Sequence, residues 1–347
     1  MIYLPDKPLG IVHIQTPFRI SFFGGGTDFP DFFNQKCGAV LGVTINRYSY
    51  VVLNSLVRLL SKRIKLSYSK LEQVDEQKEL EHTIVRSILD KNLELWNGNF
   101  LDIHSYADLP SGSGIGSSSA FTVGMLLALN TLKGVYCSPF KLAKEAIRIE
   151  RYEIGDKGGW QDQILAAYGG FNRIDFYENN FHVKPITIPQ EKLKALEDSC
   201  LFFFTKTQRS SAKIQENVFN HERVSKNVEY LTKIGDLVNL AEKELYKSND
   251  PTDMVAEFGM LLNETWQLKR RLSSYVSTPE IDDYYERAIK AGAFGGKVSG
   301  AGGGGFMFFI VPKKKQSAVI NALSDLIPIE INFERYGSHV LFVQHRK

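Results

Sequence analysis

The segment Leu109 to Ala120 reads Leu-Pro-Ser-Gly-Ser-Gly-Ile-Gly-Ser-Ser-Ser-Ala. Glycines at 112, 114 and 116 remove side chains, so backbone N–H groups can crowd toward an anion. The serines at 111, 113, 117, 118 and 119 add hydroxyl donors and hard oxygen ligands. A strongly apolar helix follows at once and points its positive dipole end at the same place. Together, Pro110, Ser111, Gly112, Ser113, Gly114, Ile115, Gly116, Ser117, Ser118 and Ser119 spell a phosphate cradle. Gly/Ser composition also suits a flexible linker, but a linker has no reason to run straight into a buried helix. No Gly-x-x-x-x-Gly-Lys-Ser/Thr run exists in the chain. A dinucleotide fingerprint fails too, because Ser117 stands where its third glycine belongs.

Three further segments carry chemistry. Gly295 to Gly305, Gly-Gly-Lys-Val-Ser-Gly-Ala-Gly-Gly-Gly-Gly, holds Lys297, Ser299, Gly300, Ala301, Gly302 and Gly303. So much glycine is costly in backbone entropy, and a tight turn needs only one or two. Close approach to another backbone or to a ligand explains it, and such a loop could close a nucleotide site from a second domain. Near the N-terminus, an apolar strand ends in Gly24-Gly25-Gly26-Thr27-Asp28. Asp28 reads either as an acceptor for sugar hydroxyls or as a turn residue. Arg19 lies within that apolar strand, and a buried arginine needs an anionic partner. Glu150 sits on an amphipathic helix. Asp162, in Gly159-Trp160-Gln161-Asp162-Gln163, reads at minimum as a charge at a helix start. Finally, Thr205 to Lys213 follows an apolar strand and contains Lys206, Arg209 and Lys213. These are either anion ligands at a helix start or solvated loop charges.

Composition narrows the classes. The chain has 347 residues, 43% hydrophobic and 23% charged, which excludes disordered and fibrous classes and predicts two domains. A net charge of +3 is too mild for a nucleic-acid partner. Three scattered cysteines and seven ungrouped histidines point to neither a disulfide framework nor a protein-built metal site. No basic segment leads an apolar one at the N-terminus, and Ala120 to Leu132 is too short to span a bilayer. A cytoplasmic protein is expected, with no membrane partner.

The elements that must position these residues are legible in outline. Strands are expected at 11–23 with a break at Pro17, and at 39–53, 63–67, 100–105, 171–176, 200–205, 305–311, 329–333 and 340–344. Helices are expected at 79–96, 119–133, 138–152, 212–247, 252–273, 279–291 and 315–326. Ser138 and Pro139 mark one helix start clearly. The alternation indicates an α+β architecture. The polar stretch 185–194 is expected to be the loop between a domain at 1–188 and another at 189–347.

The motif set, in order, resembles the GHMP kinase family of galactokinases, homoserine kinases and mevalonate kinases. Leu109 to Ala120 resembles its Pro-x-x-x-Gly-Leu-Gly-Ser-Ser-Ala loop, with Ile115 for leucine and one extra serine. Lys297 to Gly305 resembles its C-terminal glycine motif, and Thr16 to Asp28 its N-terminal one. Where galactokinases carry Gly-Glu-His-Thr-Asp, this chain has Gly24-Gly25-Gly26-Thr27-Asp28, a string that resembles the one in D-glycero-D-manno-heptose 7-phosphate kinases.

The resemblance implies a two-domain fold, ribosomal-protein-S5-like then ferredoxin-like, with ATP and Mg²⁺ as cofactors and a sugar phosphate as substrate. By position it implies Ser118 and Glu150 for the metal. It implies Asp162 for accepting the hydroxyl proton, and Arg19 for pairing with Asp162 and the moving phosphate. Gly25, Gly26, Thr27 and Asp28 are the expected sugar contacts; a phosphorylated substrate would also need a cationic pocket, for which the helix-start amides, Arg209 and one of the neighbouring lysines are the candidates. Other expectations are a sugar-1-kinase for fucose or a hexose, or a regulator that binds without turnover.

Overall fold

The structure is a computed structural model that describes residues 10–56, 61–92, 100–206, 221–247 and 249–345. Arg209, the rest of the 207–213 stretch and the start of the helix expected from 212 lie outside the described residues.

The first half builds one mixed sheet. Its elements are β1 (Gly10–Phe23), the short α1 (Pro30–Phe33), β2 (Gly38–Leu56), β3 (Ile64–Ser67), β4 (Leu71–Val74), α2 (Thr83–Asp90) and β5 (Phe100–Ala107). There follow α3 (Ser117–Leu132), α4 (Pro139–Ile147), a π-helical turn (Arg148–Glu153), α5 (Gln161–Tyr168), β6 (Phe171–Tyr177) and β7 (Asn180–Pro185). The second half adds α6 (Gln190–Ser199), β8 (Cys200–Phe204), α7 (His221–Lys226), α8 (Val228–Lys247), α9 (Pro251–Leu272) and α10 (Pro279–Ala291). It ends with β9 (Gly295–Val298), β10 (Phe306–Ile310), α11 (Gln316–Ala322), β11 (Ile327–Ile329), β12 (Phe333–Glu334) and β13 (His339–His345).

The larger sheet runs β13-β1-β2-β5-β3-β4, with β12 and β6 on β2 and β7 on β6. The smaller sheet, β11-β8-β10-β9, is antiparallel throughout. The two-domain α+β expectation holds at this level. The chain end departs from a simple split at 188, because β13 pairs antiparallel with β1 and β12 with β2.

Several local expectations need correction. Pro17 does not break β1; the strand continues and only its register with β2 slips between Pro17 and Phe18. Residues 185–194 are not a plain loop, since α6 begins at Gln190 behind Pro189. The stretch 295–298 is strand rather than loop. The helix expected over 138–152 turns π-helical at Arg148. That over 79–96 is helical at 83–90, and 93–99 lie outside the described residues.

β1 is buried almost continuously from Thr16 because helices cover it. α3 packs on it with apolar residues nearly all round, as a fully buried helix requires. Phe22, at the end of β1, meets Phe258 of α9 at 5.2 Å and Phe308 of β10 at 5.7 Å, both edge to face. This cluster holds the two sheets together just below the residues that carry chemistry.

Candidate active site

The cradle is built as the sequence implies. Gly112, Gly114 and Gly116 have φ of 72°, 81° and 76°, a left-handed region that glycine occupies without penalty. Gly116 caps α3 with no side-chain hydrogen bond. The first-turn N–H groups are therefore left for an anion.

The second glycine segment closes on the first by backbone contact. A Cβ at Gly114 would stand 2.6 Å from the Ser299 carbonyl oxygen. One at Gly300 would stand 2.7 Å from the Gly114 oxygen, and one at Gly305 2.3 Å from the Ser113 oxygen. Ser299 Oγ donates to the Gly114 carbonyl at 2.9 Å. Gly303 N donates to Val276 O at 3.0 Å, which fixes the loop's far side. Gly114→Ala should therefore separate the loops. The expected result is a tenfold or greater rise in KM for ATP and a stability loss of about 1–3 kcal/mol, measured by initial rates and urea unfolding.

Arg19 ties the cradle to Asp162. Its Nε donates to Asp162 Oδ1 at 2.7 Å and its NH2 group to Oδ2 at 2.6 Å, a bidentate fork. Its NH1 group donates to the Gly114 carbonyl at 2.7 Å. The side chain is 4% exposed, so the anionic partner its burial demands is Asp162. Guanidinium carries five N–H donors; the three bonds named leave two for an incoming anion.

Asp162 stands in the first turn of α5, whose start is set from a distance. Trp160 supplies no side-chain cap. Instead Asp28 Oδ2 accepts from Gln161 N at 3.2 Å, and the Asp28 carbonyl from Trp160 N at 3.1 Å. Asp28 Oδ1 accepts from Gly26 N at 2.9 Å. Burial pushes the Asp28 carboxyl above its ordinary range, partly offset by these backbone bonds. Gly159 must be glycine, because a Cβ there would lie 1.8 Å from Asp28 Oδ2. Thr27 is buried, with its Oγ1 donating toward the carbonyls of Gly24 and Ala39, each at 2.8 Å. Thr27 thus shapes the turn, while Gly25, Gly26 and Asp28 line the cavity beside Arg19 and Asp162.

That cavity contains a cation absent from the sequence reading. Lys269 of α9 is 3% exposed and donates to the Gly300 carbonyl. Burial and the nearby Arg19 lower its pKa to about 8, against the pull of Asp28 and Asp162. Lys297 is buried too and donates to the carbonyls of Ser21 at 2.7 Å and Phe22 at 3.1 Å, where β1 slips register against β2. Burial holds its amine well below its ordinary pKa, with Lys269 and Arg19 adding to the effect. Arg151 completes the cations, donating to the Gly159 carbonyl at 3.1 Å and Asp156 Oδ2 at 2.9 Å. The cavity wall thus carries the guanidinium groups of Arg19 and Arg151 and the amines of Lys269 and Lys297, both lowered in pKa, against Asp28 and Asp162. Its lining favours an anionic ligand.

Lys269 gives a pH signature. In the unfolded chain it holds its proton up to about its ordinary 10.5, in the folded chain only up to about 8. The unfolded chain binds more protons across that window, so this lysine's contribution to stability rises with pH from 8 to 10.5. Urea titrations of wild type and Lys269→Met across the window should show wild type gaining relative to the variant.

Glu150 lies behind the start of α3 and is 2% exposed. Ser119 Oγ donates to its Oε2 at 2.9 Å, and Thr122 and the Gln163 amide donate as well. Burial raises its pKa, opposed first by Arg151 and then by these donors. The serine on Glu150 is therefore Ser119; Ser118 is exposed. A carboxylate offers about four lone-pair positions, and three donors leave one. No cluster of three His, Cys, Asp or Glu suited to a metal exists among the described residues. One carboxylate near a serine hydroxyl suits Mg²⁺, which takes most of its oxygens from phosphate and water. Glu150, with the Ser119 hydroxyl that touches it, would hold it; no hydrogen bond joins Ser118 Oγ to Glu150 among the described residues.

Comparison with known proteins agrees with this geometry. The GHMP kinase N-terminal domain family matches residues 56–170, and the GHMP kinase C-terminal family matches 253–328. A D-glycero-alpha-D-manno-heptose 7-phosphate kinase of Campylobacter jejuni is 33% identical over 310 residues, 84% of this chain and 86% of its own. A galactokinase of Thermococcus kodakarensis is 25% identical over 322 residues, covering 84% of this chain and 87% of its own. The crystal structure of a D-glycero-D-manno-heptose 1-phosphate kinase from Bacteroides thetaiotaomicron superposes with a TM-score of 0.77 at 25% identity. That match covers 96% of this chain and 99% of that one. With the interlocked glycine loops and the Arg19–Asp162 fork, these matches place the chain in the GHMP kinase family, as an ATP-dependent phosphotransferase that works with Mg²⁺.

Proposed function

We propose that this kinase transfers the γ-phosphoryl group of ATP to the anomeric hydroxyl of D-glycero-D-manno-heptose 7-phosphate. The product is the 1,7-bisphosphate, and the proposed role is in nucleotide-activated heptose synthesis for bacterial surface polysaccharide in the cytoplasm. The observation that carries the chemistry is the fork: one guanidinium grips Asp162 and the ATP loop at once. The sugar identity is supported by the Gly24 to Asp28 spelling and by the relative from Campylobacter jejuni.

The steps follow from the residues. The cradle amides and the two spare Arg19 donors hold the triphosphate end. Asp162 takes the proton of the anomeric hydroxyl as its oxygen bonds to the γ-phosphorus. The bond from that phosphorus to the bridging oxygen breaks, and ADP leaves. When bound, Mg²⁺ neutralises charge on the phosphate oxygens. Gly25, Gly26 and Asp28 face the sugar, and the surplus of positive charge suits a substrate that is itself phosphorylated. Arg209 remains the proposed partner of the sugar's phosphate.

Initial rates with ATP, Mg²⁺ and a panel of heptose 7-phosphate, mannose, fucose and galactose test the substrate. The expected kcat/KM for the heptose phosphate exceeds that for every neutral hexose by at least about a hundredfold. A neutral sugar turned over better would overturn the assignment.

A further inference from the structure

A second cavity, of about 600 Å³, is lined in part by Trp160. That volume is within the range of small-molecule pockets. Its walls come from α4, the π-helical turn, the middle of α3 and the β6–β7 hairpin. None of its lining residues belongs to the cradle or to the cavity of Arg19 and Asp162, so ATP and the sugar do not account for it.

Its chemistry is specific. Lys141 and Lys144, one turn apart on α4, line it and have no carboxylate partner among the described residues. Lys144 Nζ lies 5.3 Å from the centre of the Phe140 ring. The cavity's one carboxylate, Glu145, is already held by Arg148, whose Nε donates to it at 2.9 Å. Excess positive charge therefore remains at the mouth. Beside the lysines, the exposed Phe140 and the buried Phe181 stand 5.2 Å apart with their planes 43° apart, offering apolar ring faces. Trp160 also lines the cavity, is 3% exposed, and its indole N–H has no hydrogen-bond partner among the described residues.

We propose that this cavity is a second ligand site that takes a nucleoside diphosphate. The base would lie against the aromatic walls, as stacking on aromatic side chains is tolerant of base identity. The diphosphate would meet Lys141 and Lys144. The site is placed to affect catalysis. The π-helical turn carries Arg148 and Tyr152 into this cavity and Glu150 toward the cradle. Trp160 immediately precedes the helix that bears Asp162. Single π turns inside helices recur at functional positions.

Calorimetric titration of GDP and UDP tests the proposal, with the ATP site first filled by a non-hydrolysable ATP analogue and Mg²⁺. The expected result is one further binding event per chain that persists with the analogue bound. The double variant Lys141→Ala, Lys144→Ala should weaken it at least tenfold while binding the ATP analogue as wild type does. Guanosine and inorganic phosphate alone should each bind at least tenfold more weakly than GDP. Heat that disappears once the ATP site is filled, an unchanged double variant, or phosphate binding as tightly as GDP would each overturn the assignment. None of these readouts depends on which sugar the kinase phosphorylates.

Discussion

Asp162→Asn is expected to lower kcat by about 10²–10⁴-fold, the usual worth of a positioned proton acceptor, with ATP affinity unchanged. The amide keeps the shape of the carboxylate and can still accept one bond from Arg19. It cannot take up the hydroxyl proton. The cradle is assembled by Gly112, Gly114 and Gly116 and by contact with Ser299 and Gly300, none of which needs the charge at 162. Binding and chemistry should therefore separate. Titrating an ATP analogue into the variant and following single turnovers would measure both. Weakened nucleotide binding with an unchanged chemical step would assign Asp162 to the cradle instead. A protein that binds without turnover would show no difference in rate at all.

Arg19→Lys should come close in size for a different reason. Lysine keeps the positive charge but is a point donor, while the guanidinium spans both Asp162 oxygens and the Gly114 carbonyl simultaneously. One ammonium cannot reach all three in that geometry. Asp162 would lose its fixed orientation, and the ATP loop would lose its tie to it. The expected loss is about 10²–10³ in kcat/KM, spread over kcat and the KM for ATP. That spread distinguishes the two variants, since Asp162→Asn should act on kcat alone. The substitution is also expected to cost stability, because it leaves a carboxylate poorly paired in a mostly buried site.

The parts of the site legible in the sequence are those whose chemistry is local. Alternating glycines before an apolar helix announce an anion cradle without any tertiary information. Arg19 inside an apolar strand announces a buried anionic partner, and Asp162 is that partner. Lys269 was hidden because it heads Lys269-Arg270-Arg271 at the C-terminal end of a helix. There, basic residues commonly complement the dipole. Only the packing of α9 against the second glycine segment, visible in the bond to Gly300, shows that this one points inward. The resemblance points to Ser118, while the serine that touches Glu150 is Ser119, for a helical reason. Successive residues are about 100° apart around the axis, so Ser119 and Thr122 share the face toward Glu150 while Ser118 faces out.

The fold shows the same division. Long amphipathic or apolar runs such as 251–272 were legible within a residue or two. The β6–β7 hairpin was read only in its first strand. Its turn depends on Glu178 and Asn179 both adopting positive φ, 43° and 59°, which two-residue hairpins need and which only the asparagine suggests. The return of β13 to β1 is a contact between opposite ends of the chain, beyond the reach of local patterning. α6 was missed because a polar surface helix behind a proline looks like a linker by composition.

We propose that this active site moves phosphate from ATP to the anomeric oxygen of a sugar that already carries one. Phosphorus NMR of a reaction containing the protein, ATP, Mg²⁺ and D-glycero-D-manno-heptose 7-phosphate tests it most directly. The expected spectrum shows a new phosphate resonance coupled to the anomeric proton and the original 7-phosphate resonance retained, with one ADP formed per product. A new phosphate at any other position, or ADP released with no phosphorylated sugar, would contradict it.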